Sequence, residues 1–193
     1  IRQNDPRQRP ITASMADIGQ EWSSLYSSPS LDFLNIHPYP PSAQLDTKII
    51  RDVRYLMQKY HKPVMIGESG LNADSPEKYP PNAEIGLRHA IWAGLVSGSM
   101  NGRALYWEDG YGLYFPEFHW LFIRKYNFIE LPAANFIAGV DMTGFAPLND
   151  QRTAKITGAA VGNEVMVIGW YRDITSEPPN WPVQPSISNQ SVA

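Results

Sequence analysis

Apolar positions along this chain recur at two spacings that take turns. Short runs of strand character, Leu31 to Ile36 and Pro63 to Gly67, alternate with longer stretches whose apolar residues return every three to four positions. Between those two runs, Asp46 is placed to cap a helix over TKIIRDVRYLMQKYH. There Ile49, Ile50, Val53, Met57 and Tyr60 share one face, and Lys59 and His61 suit the negative end of the helix dipole. Upstream, Pro10 to Ser14 reads as a strand entering a helix from about Ala16 to Tyr26, which the SSPS cluster at Ser27 to Ser30 ends. Downstream, a Pro- and Asn-rich loop through Asn82 leads to a helix over Ala83 to Ser97. A strand over Arg103 to Tyr106 follows, and an aromatic segment from Phe115 to Tyr126 supplies a last helix.

Strands alternating with helices in this way predict an α/β fold with a parallel sheet and right-handed crossovers. No Gly-rich phosphate turn follows any strand and GxGxxG is absent, which disfavours an open doubly wound sheet. A complete TIM barrel, (β/α)8, takes about 250 residues. The pattern therefore predicts its C-terminal half, four βα units, as a first domain over residues 1–131. After Pro132 the texture changes to short strand-like runs, with Val165 to Tyr171 alternating and a turn at Gly162-Asn163. A small antiparallel β domain is expected over 132–193.

Composition narrows the function. The chain has 193 residues, 43% of them hydrophobic, a formal net charge of -3 and no cysteine. Lys and Arg form no basic stripe, so nucleic acid is not an expected partner, and no apolar run approaches the ~20 residues of a membrane span. Without cysteine there is neither disulfide nor thiolate metal site. His61, His89 and His119 lack metal-ligand spacing and read as structural, so neither metal nor cofactor is expected. The start at Ile1, without methionine or signal peptide, reads as the interior of a longer polypeptide.

Aromatics are the unusual component, at 12% with six Trp and ten Tyr. They gather with acids at the expected strand ends. One strand ends in His37 and Tyr39, the next in Glu68, and the last in Trp107, Glu108 and Asp109. The mouth of a barrel, at the C-terminal strand ends, is where such folds keep their chemistry. Carboxylates beside flat aromatic faces suit the binding and cleavage of sugars.

In this order and spacing the segments IHPYP, IGESG and LYWED, with the RHAIWAGLVSGSMNGRALYW approach to the last strand, resemble the retaining glycoside hydrolases of clan A. The cellulase and mannanase-like members of family 5 are the nearest pattern, over roughly Ile1 to Tyr126. The resemblance implies that Glu68 is the nucleophile, that His37 and Tyr39 orient it, and that Trp107 floors the subsite of the cleaved sugar. Glu108 and Asp109 are placed to accept hydrogen bonds from sugar hydroxyls. Such enzymes also need an acid/base glutamate from an Asn-Glu on an earlier strand. The chain's Asn163-Glu164 lies downstream in the β unit, and Glu21 and Glu84 fall within or at the start of expected helices.

The expectation is therefore hydrolysis of a β-linked oligo- or polysaccharide, with the acid and the other half of the barrel supplied by an N-terminal segment or a second copy of the chain. A carbohydrate-binding remnant without turnover, or a structural half-barrel subunit, is the alternative. An extracellular location follows from the resemblance alone.

Overall fold

Three residues, Leu34–Ile36, form β1, and three more, Val64–Ile66, form β2, paired in parallel with Leu34 opposite Val64 and Ile36 opposite Ile66. The computed structural model describes residues 2–14, 22–40, 44–70, 83–100, 129–148 and 155–173. Both strands are shorter than the sequence runs that predict them. The chain at 11–14 lies along the far edge of β1, where Ser14 makes a parallel bridge to Asn35. Ile11 there accepts from the Asp32 amide at 2.9 Å, and the Thr12 hydroxyl donates to the Phe33 carbonyl at 2.8 Å. The Ile11 amide and then Arg2 hold the Asp32 carboxylate, which keeps its pKa below the ordinary value.

Backbone groups in a parallel strand turn alternately to its two neighbours. The Pro63 carbonyl and the Gly67 amide turn toward β1, so the Val64 carbonyl faces the opposite edge, where it accepts from the Met100 amide at 2.8 Å. The two-stranded sheet is thus flanked by residue 14 at the edge of β1 and by residue 100 at the edge of β2. The strand expected over Arg103 to Tyr106 and the helix expected from Phe115 to Tyr126 lie outside the described residues, as does the helix expected from Ala16 except for its end, α1, Ser23–Tyr26.

The helix α2, Leu45–Tyr60, packs the face predicted from its spacing. Ile49, Ile50, Val53 and Leu56 are buried against Leu34, Ile36, Val64 and Ile66. His61 ends it in a left-handed conformation, φ 51°, with its amide on the Met57 carbonyl. The start differs from the sequence expectation. Gln44 is the N-cap and makes no side-chain cap, while Asp46 lies inside the first turn and is buried, 1% exposed.

What holds Asp46 there is Arg172, on the strand β5, Val167–Asp173. Arg172 Nε donates to Asp46 Oδ2, and Nη2 donates to Oδ1 at 3.2 Å. The carboxylate also accepts from the Thr47 amide at 2.7 Å. A buried carboxylate needs such a counter-ion, because its desolvation is otherwise uncompensated.

The helix α3, Ala83–Ser97, follows the range expected from the sequence. It is apolar nearly all round, as a helix enclosed on several sides must be. Leu87, Ala90, Ile91, Ala93, Leu95 and Val96 are all buried, and α3 touches α2 together with β4, Ile156–Gly162, and β5. Gly98 closes it at φ +92°, and a Cβ there would lie 2.6 Å from Pro147 Cγ, so only glycine fits the position.

A further helix, α4, occupies 129–137, running through Pro132, where the sequence texture was expected to turn to strand. The antiparallel sheet has the order β3-β4-β5, with β3 at Ala146–Pro147. The hairpin turn at Asn163 matches the expected position: its Oδ1 accepts from the amides of Val165 and Met166, both at 2.9 Å. This sheet shares the core of the helices, since Ala159, Val161 and Ile168 belong to the same buried cluster as Ile49 and Leu34. Arg54 of α2 crosses to it, donating to the Leu148 and Ala160 carbonyls at 2.7 Å each and to Val96 at the end of α3 at 3.3 Å.

Asp46→Ala leaves the Arg172 guanidinium buried without its carboxylate and is expected to cost about 3–5 kcal/mol, read from urea unfolding midpoints. Joint replacement by Asp46→Leu and Arg172→Met should recover most of that loss. His89, on α3, lies with its ring centroid 5.6 Å from that of Trp170. Burial pushes its pKa down to about 4 from 6.5. The charge of Arg172 pushes the same way, Asp46 opposes, and Arg88 adds to the lowering. Below pH 6.5 the unfolded chain binds the proton that folded His89 refuses, so stability present above that pH should fall as pH drops toward 4. Thermal midpoints measured across that window should show the slope, and His89→Leu should flatten it.

Candidate active site

Alternation along β1 and β2 separates two faces. Leu34, Ile36, Val64 and Ile66 enter the core under α2, which leaves Asn35 and Met65 half-buried on the opposite face. Continuing past the strand ends, His37 lies next to β1 and Glu68 two residues beyond β2, at the C-terminal edge of the sheet. The parallel register keeps the two chains together beyond the strands: the Gly67 amide donates to the Ile36 carbonyl at 3.0 Å and the Gly70 amide to the Pro38 carbonyl at 3.3 Å.

Gly67 is dictated by Asn35. Any Cβ at position 67 would press into the Asn35 side-chain amide, coming within 2.9 Å of its Cγ. Asn35 Oδ1 is buried and, among the described residues, has no hydrogen-bond partner. This close approach of an amide to bare backbone falls at the residue just before Glu68.

Three of the residues expected at the site meet there. The Tyr39 hydroxyl donates a hydrogen bond to Glu68 Oε2, and His37 Nδ1 lies 3.5 Å from the same oxygen. His37 is 8% exposed, whereas the Glu68 side chain is 35% exposed and so reachable from solvent. Burial pushes the Tyr39 hydroxyl pKa well above its ordinary 10, and the hydrogen bond to Glu68 and its negative charge push it further. Tyr39 therefore stays a proton donor throughout the neutral range, and the carboxylate oxygen it engages is held in place.

A fourth residue joins them without having been expected. Ser14 Oγ lies 2.8 Å from His37 Nε2, completing a chain Ser14, His37, Glu68, Tyr39 across three neighbouring segments. The signal was present in the sequence: Ser14 ends the strand predicted at Pro10 to Ser14, as His37 and Glu68 follow the ends of theirs. Trp107, Glu108 and Asp109 lie outside the described residues. Glu164 is exposed in the β4-β5 turn. Among the described residues, no group of three His, Cys, Asp or Glu side chains is gathered as a metal ion would require.

No protein-family model matches the chain, and no curated protein does. Among solved structures it is similar to the X-ray structure of the endo-beta-1,4-mannanase from Thermotoga petrophila, at 20% sequence identity and a TM-score of 0.41. The similarity covers 83% of this chain and 44% of that one, so the chain spans less than half the length of that enzyme. A likeness of this size leaves the site to be read from the chain's own geometry.

Gly67→Ala should destabilise by about 1–3 kcal/mol through the clash with Asn35. Asn35→Ala should be nearly neutral alone and should restore much of the loss in combination. A double-mutant cycle by chemical denaturation measures the coupling.

Proposed function

We propose that this chain is part of a retaining β-glycoside hydrolase in which Glu68 is the nucleophile. The observation that carries the reading is the convergence of Tyr39 and His37 on one oxygen of a solvent-reachable carboxylate at the C-terminal edge of a parallel sheet. A carboxylate that is to attack carbon must stay ionised and aimed. A phenol donating to Oε2 fixes the group, and Oε1 is the oxygen that attacks.

In the first step the Glu68 oxygen bonds to the anomeric carbon as the glycosidic C–O bond breaks, and an acid protonates the departing oxygen. Water then attacks the same carbon, giving up a proton to that group, and releases Glu68. The second carboxyl stands about 5 to 5.5 Å from the nucleophile in enzymes of this type. In this reading that acid is supplied by an N-terminal half or by a second copy of the chain.

The sheet supports a barrel half as the scaffold. Neighbours in space are neighbours in sequence across residue 14, β1, β2 and residue 100, an order that a closed barrel requires. Asn35 and Met65 then face the barrel interior, and the site sits at its mouth. In this reading Trp107, Glu108 and Asp109, outside the described residues, are the groups that contact the sugar.

A substrate whose leaving group departs without protonation bypasses the missing acid. The chain incubated with 2,4-dinitrophenyl 2-deoxy-2-fluoro-β-glucoside and with the β-mannoside should release dinitrophenolate once per site and gain one fluoroglycosyl mass, mapped to the peptide carrying Glu68. Glu68→Gln should abolish capture, a loss of about 3 kcal/mol or more of transition-state stabilisation. Capture at another residue, or equal capture in the variant, defeats the assignment. Heat of oligosaccharide binding without capture favours a binding remnant.

A further inference from the structure

Ser14 is exposed, it sits on a segment that the proposed chemistry does not use, and its hydroxyl meets the one ring nitrogen of His37 that faces away from Glu68. We propose that Ser14 is a positioning residue: by donating to Nε2 it allows the Glu68 charge to hold the proton of His37 on Nδ1. The inference rests on the nucleophile reading given above and adds to it a residue that acts through the imidazole.

A neutral imidazole has one N–H and one lone pair, and the partner of one nitrogen decides the state of the other. If Ser14 donates to Nε2, the N–H stands on Nδ1 and its positive end points at Glu68 Oε2, 3.5 Å away. If Ser14 instead accepts from an Nε2 N–H, the Nδ1 lone pair faces a carboxylate oxygen and the two repel. The separation exceeds hydrogen-bond length, so the gain is electrostatic. It acts on a ring that is almost wholly buried between an exposed hydroxyl and a solvent-reachable carboxylate.

The Ser14 hydroxyl is free to rotate to either role, whereas the carboxylate can only accept. The choice at Nε2 is therefore made by the charge across the ring. Ser14 makes that choice available at no cost, because a hydroxyl satisfies Nε2 as a donor. Without it, Nε2 would lack that donor, and water competing from the exposed side could accept as readily as donate. The Nδ1 proton and the Tyr39 hydroxyl then bear on the same oxygen and leave its twin for attack.

Nitrogen-15 correlation spectra of the whole chain, with the His37 ring assigned by its loss in His37→Ala, report the tautomer directly. The expected wild-type state of the neutral ring is an N–H at Nδ1 with a bare Nε2. Ser14→Ala should give a mixture or a reversal, together with about tenfold slower fluoroglycoside capture at Glu68, the scale seen for outer partners of functional imidazoles. Ser14→Thr keeps the hydroxyl and should restore both readouts. Far-UV circular dichroism checks that the variants fold.

An N–H at Nε2, or on both nitrogens, in the wild type overturns the proposal. So does an unchanged tautomer in Ser14→Ala, or a changed one with unchanged capture. If the wild type captures no fluoroglycoside, the nucleophile reading and the positioning role fall together. Capture at Glu68 without a tautomer change sinks this inference alone.

Discussion

The register of β1 against β2 is the constraint on which the site depends. With Ile36 set opposite Ile66, the chains leave the sheet side by side, and a histidine and a tyrosine meet one oxygen of a glutamate about thirty positions further along the sequence. A slip of one residue in β1 would turn Asn35 into the apolar core and carry Leu34 and Ile36 to the opposite face. The core under α2 thus enforces the geometry at the sheet's edge. Ile49, Ile50 and Val53 reward only the register that also brings Tyr39 to Glu68.

The same helices face two ways. One side of α2 covers the parallel sheet, while Arg54 reaches from it to carbonyls of the antiparallel sheet and of α3. The helix α3 is apolar on nearly every side because it is enclosed among α2, β4 and β5. The antiparallel strands therefore pack on the helices that also cover the parallel sheet.

Elements with strong local period were legible in the sequence. Ala83 to Ser97 and the apolar face of α2 follow from spacing alone, and the β4-β5 turn from Gly162-Asn163, because these features depend on near neighbours. His37, Tyr39 and Glu68 were legible as strand-end residues, and their meeting follows once the strands are parallel and adjacent. Asp46 was misread for a physical reason. An aspartate at a helix start looks the same whether it caps the helix or pairs with a distant cation, and Arg172 lies 126 residues away. Ser14 was passed over because a lone serine carries no chemistry until a partner is beside it. Pro132 marked a boundary in the sequence, yet the helix at 129–137 runs through it. Trp107, Glu108 and Asp109 fall outside the described residues.

The span between Asp46 and Arg172 has a consequence for how the polypeptide is made. During synthesis from the amino terminus, α2 emerges long before the strand that neutralises its first turn. Until that strand arrives, the carboxylate must stay hydrated, which holds the first turn of α2 away from its final apolar surroundings. The growing chain thus has a built-in delay: the interior cannot seal until nearly all of the β4-β5 hairpin has left the ribosome.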